Sequence, residues 1–346
     1  MTNMLNSELI INCTTAFIIT FLCIKLCIRP AYKIGLVDSP GGRKQHSKPV
    51  PLIGGVCMFF GFCFSILTLN ISLLPYRSLL ASGALLSLVG MIDDMHELTP
   101  QLRIIFQLVA ALLMTTWGGL VLRHFGNFFT LGNLYLGEWG IILTIIAVVG
   151  MINAVNMLDG IDGLAGGTSF IQLSLLCYLA LHVQRSNDAK VLLLLAVVVL
   201  AFLIFNFPRL NKSAQVFMGD AGSMWLGFAL TWFCVSLSQG PIVAANPVTF
   251  VWIMAIPILD LSSVVIRRLM KKQSPFKADR QHFHHLLQNW GYSSFVTTLI
   301  ISFLSLLLGI IGLILNHFMV PGYISIIGFL LLFLIYHWLI NHNLTS

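Results

Sequence analysis

The chain has 346 residues, 58% of them hydrophobic and only 9% charged, with a formal net charge of +7 and a mean hydropathy of +0.92. An ordinary soluble domain carries about 25% charged residues, so this sequence lacks the polar surface needed to cover a water-soluble globule of its length. It reads as an all-α, polytopic integral membrane bundle. A transmembrane β-barrel would show short alternating segments in place of these continuous apolar runs.

Hydropathy predicts eleven spanning helices, at about 8–29, 52–70, 78–92, 103–121, 138–153, 168–184, 190–208, 221–238, 248–266, 295–315 and 322–340. No repeat, low-complexity tract or long linker interrupts them, so residues 1–346 are expected to form a single membrane domain. The first run has no basic residues before it and no small-residue cleavage site after it, the signature of a retained helix and not of a signal peptide. Lysine and arginine set the orientation. Fourteen of them fall in one set of connections (Arg29, Lys33, Arg43, Lys44, Lys48, Arg103, Arg209, Lys212, Arg267, Arg268, Lys271, Lys272, Lys277 and Arg280) and four in the other (Arg77, Arg123, Arg185 and Lys190). The first set is expected to be cytoplasmic, which puts the N-terminus outside and the C-terminus inside. Topology thus accounts for the basic excess, and no nucleic-acid partner is called for. The seven cysteines lie in apolar runs without a CxxC pair, so they are expected to be buried apolar residues, not a disulfide framework or a thiolate metal site.

The positive-inside rule explains bases and says nothing about acids. Yet eight of the twelve acids (Asp38, Asp93, Asp94, Glu97, Asp159, Asp162, Asp220 and Asp279) share the basic connections, and Asp260 lies late in a helix ending at that face. After the first span, Gly42–Lys48 places Lys44 and His46 where they could orient the chain or meet a phosphate headgroup. The third span ends in Asp93-Asp94, adjacent carboxylates whose repulsion a divalent cation or an ammonium group would relieve. The fifth runs into Asn153, Asn156, Asp159 and Asp162, four polar side chains three residues apart, followed by glycines that admit a close ligand. Before the eighth comes Phe217-Met218-Gly219-Asp220, a glycine-flanked aspartate at a helix N-terminus, suited either to capping or to holding Mg²⁺ beside phosphate-binding N–H groups. Arg267-Arg268 and the run Asp279–His285, with His282, His284 and His285, suit a polyanion such as a diphosphate. Read as zinc ligands, these histidines lack the common spacing. Metal-binding acids, basic clamps and a glycine-rich approach on one face are what phosphoryl transfer needs.

In order and wording, IDD, NAVNMLDGIDGLAGG, FMGDAGS and DRQHFHH, with GLVDSP and RKQH before them, resemble the polyprenyl-phosphate N-acetylhexosamine-1-phosphate transferase family, and within it the WecA-type branch. The likeness runs by motif from about Gly35 to His285. It implies transfer of N-acetylglucosamine 1-phosphate from UDP-N-acetylglucosamine to undecaprenyl phosphate, a membrane lipid, with release of UMP. It also implies Mg²⁺ (Mn²⁺ as an allowed substitute), the bacterial inner membrane, a cytoplasmic active site, a homodimer as one compatible assembly, and a first step toward a cell-surface polysaccharide such as O-antigen. By this resemblance Asp220 is the principal metal ligand, with Asp93 and Asp94 beside the lipid phosphate and metal. Asp162 meets the uracil with Phe217 stacked near it, and Asn153, Asn156 and Asp159 line the nucleotide pocket. His282, His284 and His285, with Arg267 or Arg268, hold the donor's phosphates. The muramyl-pentapeptide branch differs where this chain lacks a lysine after Asp94, has Met157-Leu158 where that branch carries a threonine before its aspartate, and has a longer Pro208–Gln215 loop; these differences favour a plain hexosamine donor. An ion-coupled transporter would carry acids at the bilayer midplane and repeated halves. A membrane phosphatase using the histidines would not require the long Asn/Asp segment.

Overall fold

A computed structural model describes residues 7–39, 48–208, 214–274 and 282–345. Lys44, His46, Asp279 and Arg280 lie outside them. The described residues are mostly helical, with one two-stranded antiparallel pair, β1 (Val37–Asp38) with β2 (Val50–Pro51), and an isolated bridge between His124 and Tyr135 in the non-helical stretch 118–138. The helices run α1 (Ser7–Ile34), α2 (Gly54–Leu67), α3 (Arg77–His96), α4 (Pro100–Leu112), α5 (Trp139–Leu158), α6 (Leu164–His182), α7 (Ser186–Asn206), α8 (Gly219–Ser238), α9 (Pro247–Ile253), α10 (Ala255–Met270), α11 (Phe283–Asn289), α12 (Ser294–His317) and α13 (Gly322–Thr345).

Among the described residues eight helices are long and apolar enough to cross a membrane: α1, α3 with the turn before it, α5, α6, α7, α8, α12 and α13. A ninth span results if α9 and α10 are taken together, although they meet at 82°. Pro257 in the first turn of α10 accounts for the bend. It has no N–H for the carbonyl of Ile253, and its ring crowds the preceding turn. The other two expected spans correspond to α2, whose 14 residues reach about 21 Å, and to α4, which has 13 residues followed by a π-helical segment at Leu113–Trp117.

α8 is the axis of the bundle, enclosed by α2, α3, α5 and α6. Every side chain from Gly219 to Ser238 is buried except Asp220 and Cys234. Two glycines allow this enclosure: a Cβ on Gly55 of α2 would strike the backbone of Ala221 and Gly222, and one on Gly90 of α3 would strike Asp220 and Ala221. Helix backbones in contact at small residues are a common membrane solution, because lipid tails leave little hydrophobic drive between helices. The start of α2 is also stitched to the segment before α8, through Gly54 N to Phe217 O (3.0 Å), Gly55 N to Met218 O (2.9 Å) and Phe217 N to Pro51 O (2.9 Å).

The cysteines are less scattered than their spacing indicates. The sulfurs of Cys23 and Cys27 on α1 and of Cys57 on α2 lie within 4.8 Å of one another. Sequence spacing could not disclose this, since the third thiol comes from another helix.

Candidate active site

The acids gather where the ends of α3 and α5 meet the first turn of α8. Gly219 sits at φ +71°, and a Cβ there would collide with the Asp94 carboxylate. Glycine thus lets the chain turn into α8 directly beneath that group. Asp94 accepts hydrogen bonds from the backbone N–H of Asp220 (2.9 Å) and Ala221 (3.3 Å). It therefore caps the N-terminus of α8 with acceptors supplied by another helix. The structure engages both Asp94 oxygens this way, which distinguishes it from its neighbour Asp93.

Asp93 is buried at 2% exposure and accepts from Leu98 N at 2.7 Å through Oδ1. Its Oδ2 lies 2.6 Å from Arg103 Nε, and Nη1 of the same guanidinium lies 3.3 Å from Asp220 Oδ2. One cation thus joins the two carboxylates. α4 brings Arg103 there: Thr99 caps the helix, accepting from Leu102 N, and Pro100 opens it, so Arg103 falls in the first turn. Asn156 donates to Asp220 Oδ1 and to Ser223 Oγ (2.9 Å). Asn153 turns away, donating to Gln107 of α4 (2.7 Å) and to Val149 O (2.8 Å), so here it ties α5 to α4.

Asp159 follows the last turn of α5. Burial, then the charges of Asp220 and Asp162, push its carboxyl up to about 7. Asp162 accepts from Ala214 N (2.8 Å) through its side chain and from Thr298 Oγ1 (2.9 Å) through its carbonyl. Asn206, buried at the end of α7, accepts from Gly163 N (2.9 Å) and donates to Val216 O (3.0 Å). These bonds hold the Asp159–Gly163 loop against the Phe217 segment.

The histidines close the other side. His284 is 1% exposed, and its imidazole lies against Gly160, so that a Cβ on Gly160 would strike Nε2. Burial, then the nearby His285 charge, hold the His284 imidazole down at about 3. The His284 and His285 rings are 4.2 Å apart, and the His282 ring stacks on His284 at 5.6 Å. His282 Nδ1 meets Asp260 Oδ2 at 2.7 Å, while Asp260 Oδ1 accepts from Phe283 N (3.1 Å) and from the Tyr336 hydroxyl (2.9 Å). Arg267 and Arg268 are both buried, and Arg267 donates to Ser263 Oγ at 2.7 Å.

The structure therefore assembles one group from Asp93, Asp94, Asn156, Asp159 and Asp220, and a second from His282, His284 and His285, with Gly160 touching the second. Sequence reasoning passed over Arg103, Gln107 and Asn206, as well as Tyr336, and noted Asp260 only for its position. Arg103 was counted as a topology signal, and the others sit singly in apolar helices, where an ionisable or amide side chain was the available clue.

The profile of glycosyl transferase family 4 matches residues 76–238, which contain the whole acidic group. Three curated relatives share one name, undecaprenyl-phosphate alpha-N-acetylglucosaminyl 1-phosphate transferase. That of Yersinia pestis is 36% identical over 312 residues, 90% of this chain and 86% of the relative. The protein of Haemophilus influenzae is 38% identical over 320 residues, 92% and 90% of the two chains. That of Escherichia coli K12 is 35% identical over 328 residues, 94% and 89%.

Proposed function

Because the chain belongs to glycosyl transferase family 4, we propose that it transfers N-acetylglucosamine 1-phosphate from UDP-N-acetylglucosamine to undecaprenyl phosphate at the cytoplasmic face of a bacterial inner membrane. The observation that carries this reading is the convergence of Asp93 and Asp220 on a single cation, the Arg103 guanidinium, at the ends of apolar helices. Two carboxylates drawn together, one of them oriented by the Asn156 amide that donates to it, offer oxygen ligands of the kind hard divalent cations prefer. Asp220 and Asp93 would hold Mg²⁺ or Mn²⁺, and the ion when bound neutralises charge on the departing nucleotide phosphate. Asp94, with both oxygens on backbone N–H groups, instead fixes the height of Asp220.

In the transfer an oxygen of the lipid phosphate bonds to the β-phosphorus of the donor. The bond from that phosphorus to the oxygen bridging to the α-phosphate breaks, and UMP leaves with the electron pair. The acceptor is already an anion at neutral pH, so its nucleophile needs positioning more than deprotonation. The histidine side of the site, with Arg267 and Arg268, supplies donors and positive charge for the diphosphate. His284, kept neutral by burial, contributes shape and a hydrogen bond.

The test is turnover by the purified protein with undecaprenyl phosphate, Mg²⁺ and a panel of labelled UDP-sugars. Label from UDP-N-acetylglucosamine is expected in the lipid extract together with UMP, with none from UDP-muramyl-pentapeptide and weak use of the galactosamine epimer tolerated. Equal or faster turnover of the pentapeptide donor would move the chain to the other branch.

A further inference from the structure

Asp260 stands outside every motif of the sequence, yet its carboxylate meets His282, the Phe283 N–H and the Tyr336 hydroxyl. It lies in α10, just beyond the bend at Pro257, and is 2% exposed. Its Oδ1 receives two donors from two other elements, the N–H that opens α11 and the Tyr336 hydroxyl from α13. An ionised carboxylate has acceptor oxygens only, so with Asp260 ionised the 2.7 Å contact is His282 Nδ1–H donating to Oδ2, beside the two donors already on Oδ1. Any contact between that ring and a substrate then falls to Nε2.

From this geometry we infer that Asp260, steadied by Tyr336, is a positioning residue that fixes the tautomer and direction of His282 toward the donor's diphosphate. The inference rests on the transferase reading for what His282 meets, but not for the pairing itself. A carboxylate behind an imidazole sets which nitrogen carries hydrogen and holds the ring against rotation. The ring plane is shared onward, because His282 stacks on His284 with only 3° between them and His284 lies against Gly160 of the Asn/Asp loop. Tyr336 gives α13 a part in the site, although that helix lies beyond the family match and contributes no motif. A second line joins the same two helices: Arg267 donates to Ser263 Oγ, which meets His337 Nδ1 at 2.9 Å.

Asp260→Asn makes the sharpest variant. With two donors facing Oδ1, the amide oxygen settles on that side and the NH₂ faces Nδ1. His282 must then accept there and carry its hydrogen on Nε2, which reverses the tautomer without changing the volume. Steady-state transfer should fall about 10–100-fold in kcat, the range seen when a histidine loses its orienting partner. Tyr336→Phe should fall in the same direction by less. In a His282→Gln background, adding Asp260→Asn should cost under about twofold, because residues acting as one unit are not additive. Nitrogen-15 spectra of histidine-labelled protein in nanodiscs supply a readout independent of turnover. A hydrogen-bonded Nδ1–H signal that disappears in His282→Gln should also disappear in Asp260→Asn.

Wild-type kcat in Asp260→Asn, an undiminished Asp260→Asn effect without His282, or an Nδ1–H signal indifferent to Asp260 would each overturn the inference. A wild-type chain that shows the signal yet transfers no sugar phosphate would sink the transferase reading and leave the pairing standing.

Discussion

At the scale of single residues, the site depends on where charge is held. Asp220 faces the Arg103 guanidinium and the Asn156 amide, and Asp220→Asn keeps the volume while removing the anion and one of those two acceptors. Transfer should drop at least about 100-fold, as for loss of one well-placed electrostatic group, while the protein still purifies and melts as wild type; unchanged turnover with an unchanged Mg²⁺ requirement would remove Asp220 from the assignment. His284 makes a pH prediction. Its imidazole is held at about 3 against an ordinary value of 6.5, so above 6.5 neither the folded nor the unfolded chain protonates it. As pH falls through that window the unfolded chain takes up a proton that the folded one refuses, and stability is lost. His284→Gln should therefore lose less melting temperature than wild type between about pH 7 and pH 5 in detergent, and parallel losses would contradict the burial argument. Motif residues were legible because they are contiguous: Asp93-Asp94, Asn156 to Asp162 and Phe217 to Asp220 each announce themselves in a short stretch. Arg103, Asn206 and Tyr336 were not, because each acquires its role from partners outside its own helix.

At the scale of elements, the acidic group is positioned by close helix contact, not by long loops. Asp94 on α3 terminates α8, and Gly55 and Gly90 let α2 and α3 reach the α8 backbone. Gly55→Val should cost about 1–3 kcal/mol through overpacking, read as a lowered melting temperature, and should reduce transfer by displacing the Phe217–Asp220 segment. A valine variant with wild-type stability and transfer would mean that α2 does not set the position of α8. The helical class was plain in the hydropathy, whereas the helix count was harder to read. A hydropathy window measures apolar length, so it could not show that Pro257 turns one expected span into two helices at 82°. Nor could it show that α2 is only 14 residues long.

At the scale of the whole molecule, the two ends of the bundle differ in kind, and that difference is the basis for the orientation. Asp93, Asp159, Asp220 and the histidines share one end with Arg267, Arg268 and Lys271. The charge distribution expects Lys271 inside and Asn133 outside. Single cysteines placed there in a cysteine-free background, probed with an impermeant thiol reagent on intact cells, should label at 133 and not at 271; the reverse pattern would invert the molecule. In the proposed transfer, phosphorus travels with the sugar. UDP-N-acetylglucosamine labelled with ³²P in its β-phosphate and with ³H in its sugar tests that most directly. The lipid product is expected to gain both labels in equal molar amounts, and the released nucleotide to be unlabelled UMP. Tritium in the lipid with ³²P left behind in UDP would contradict it.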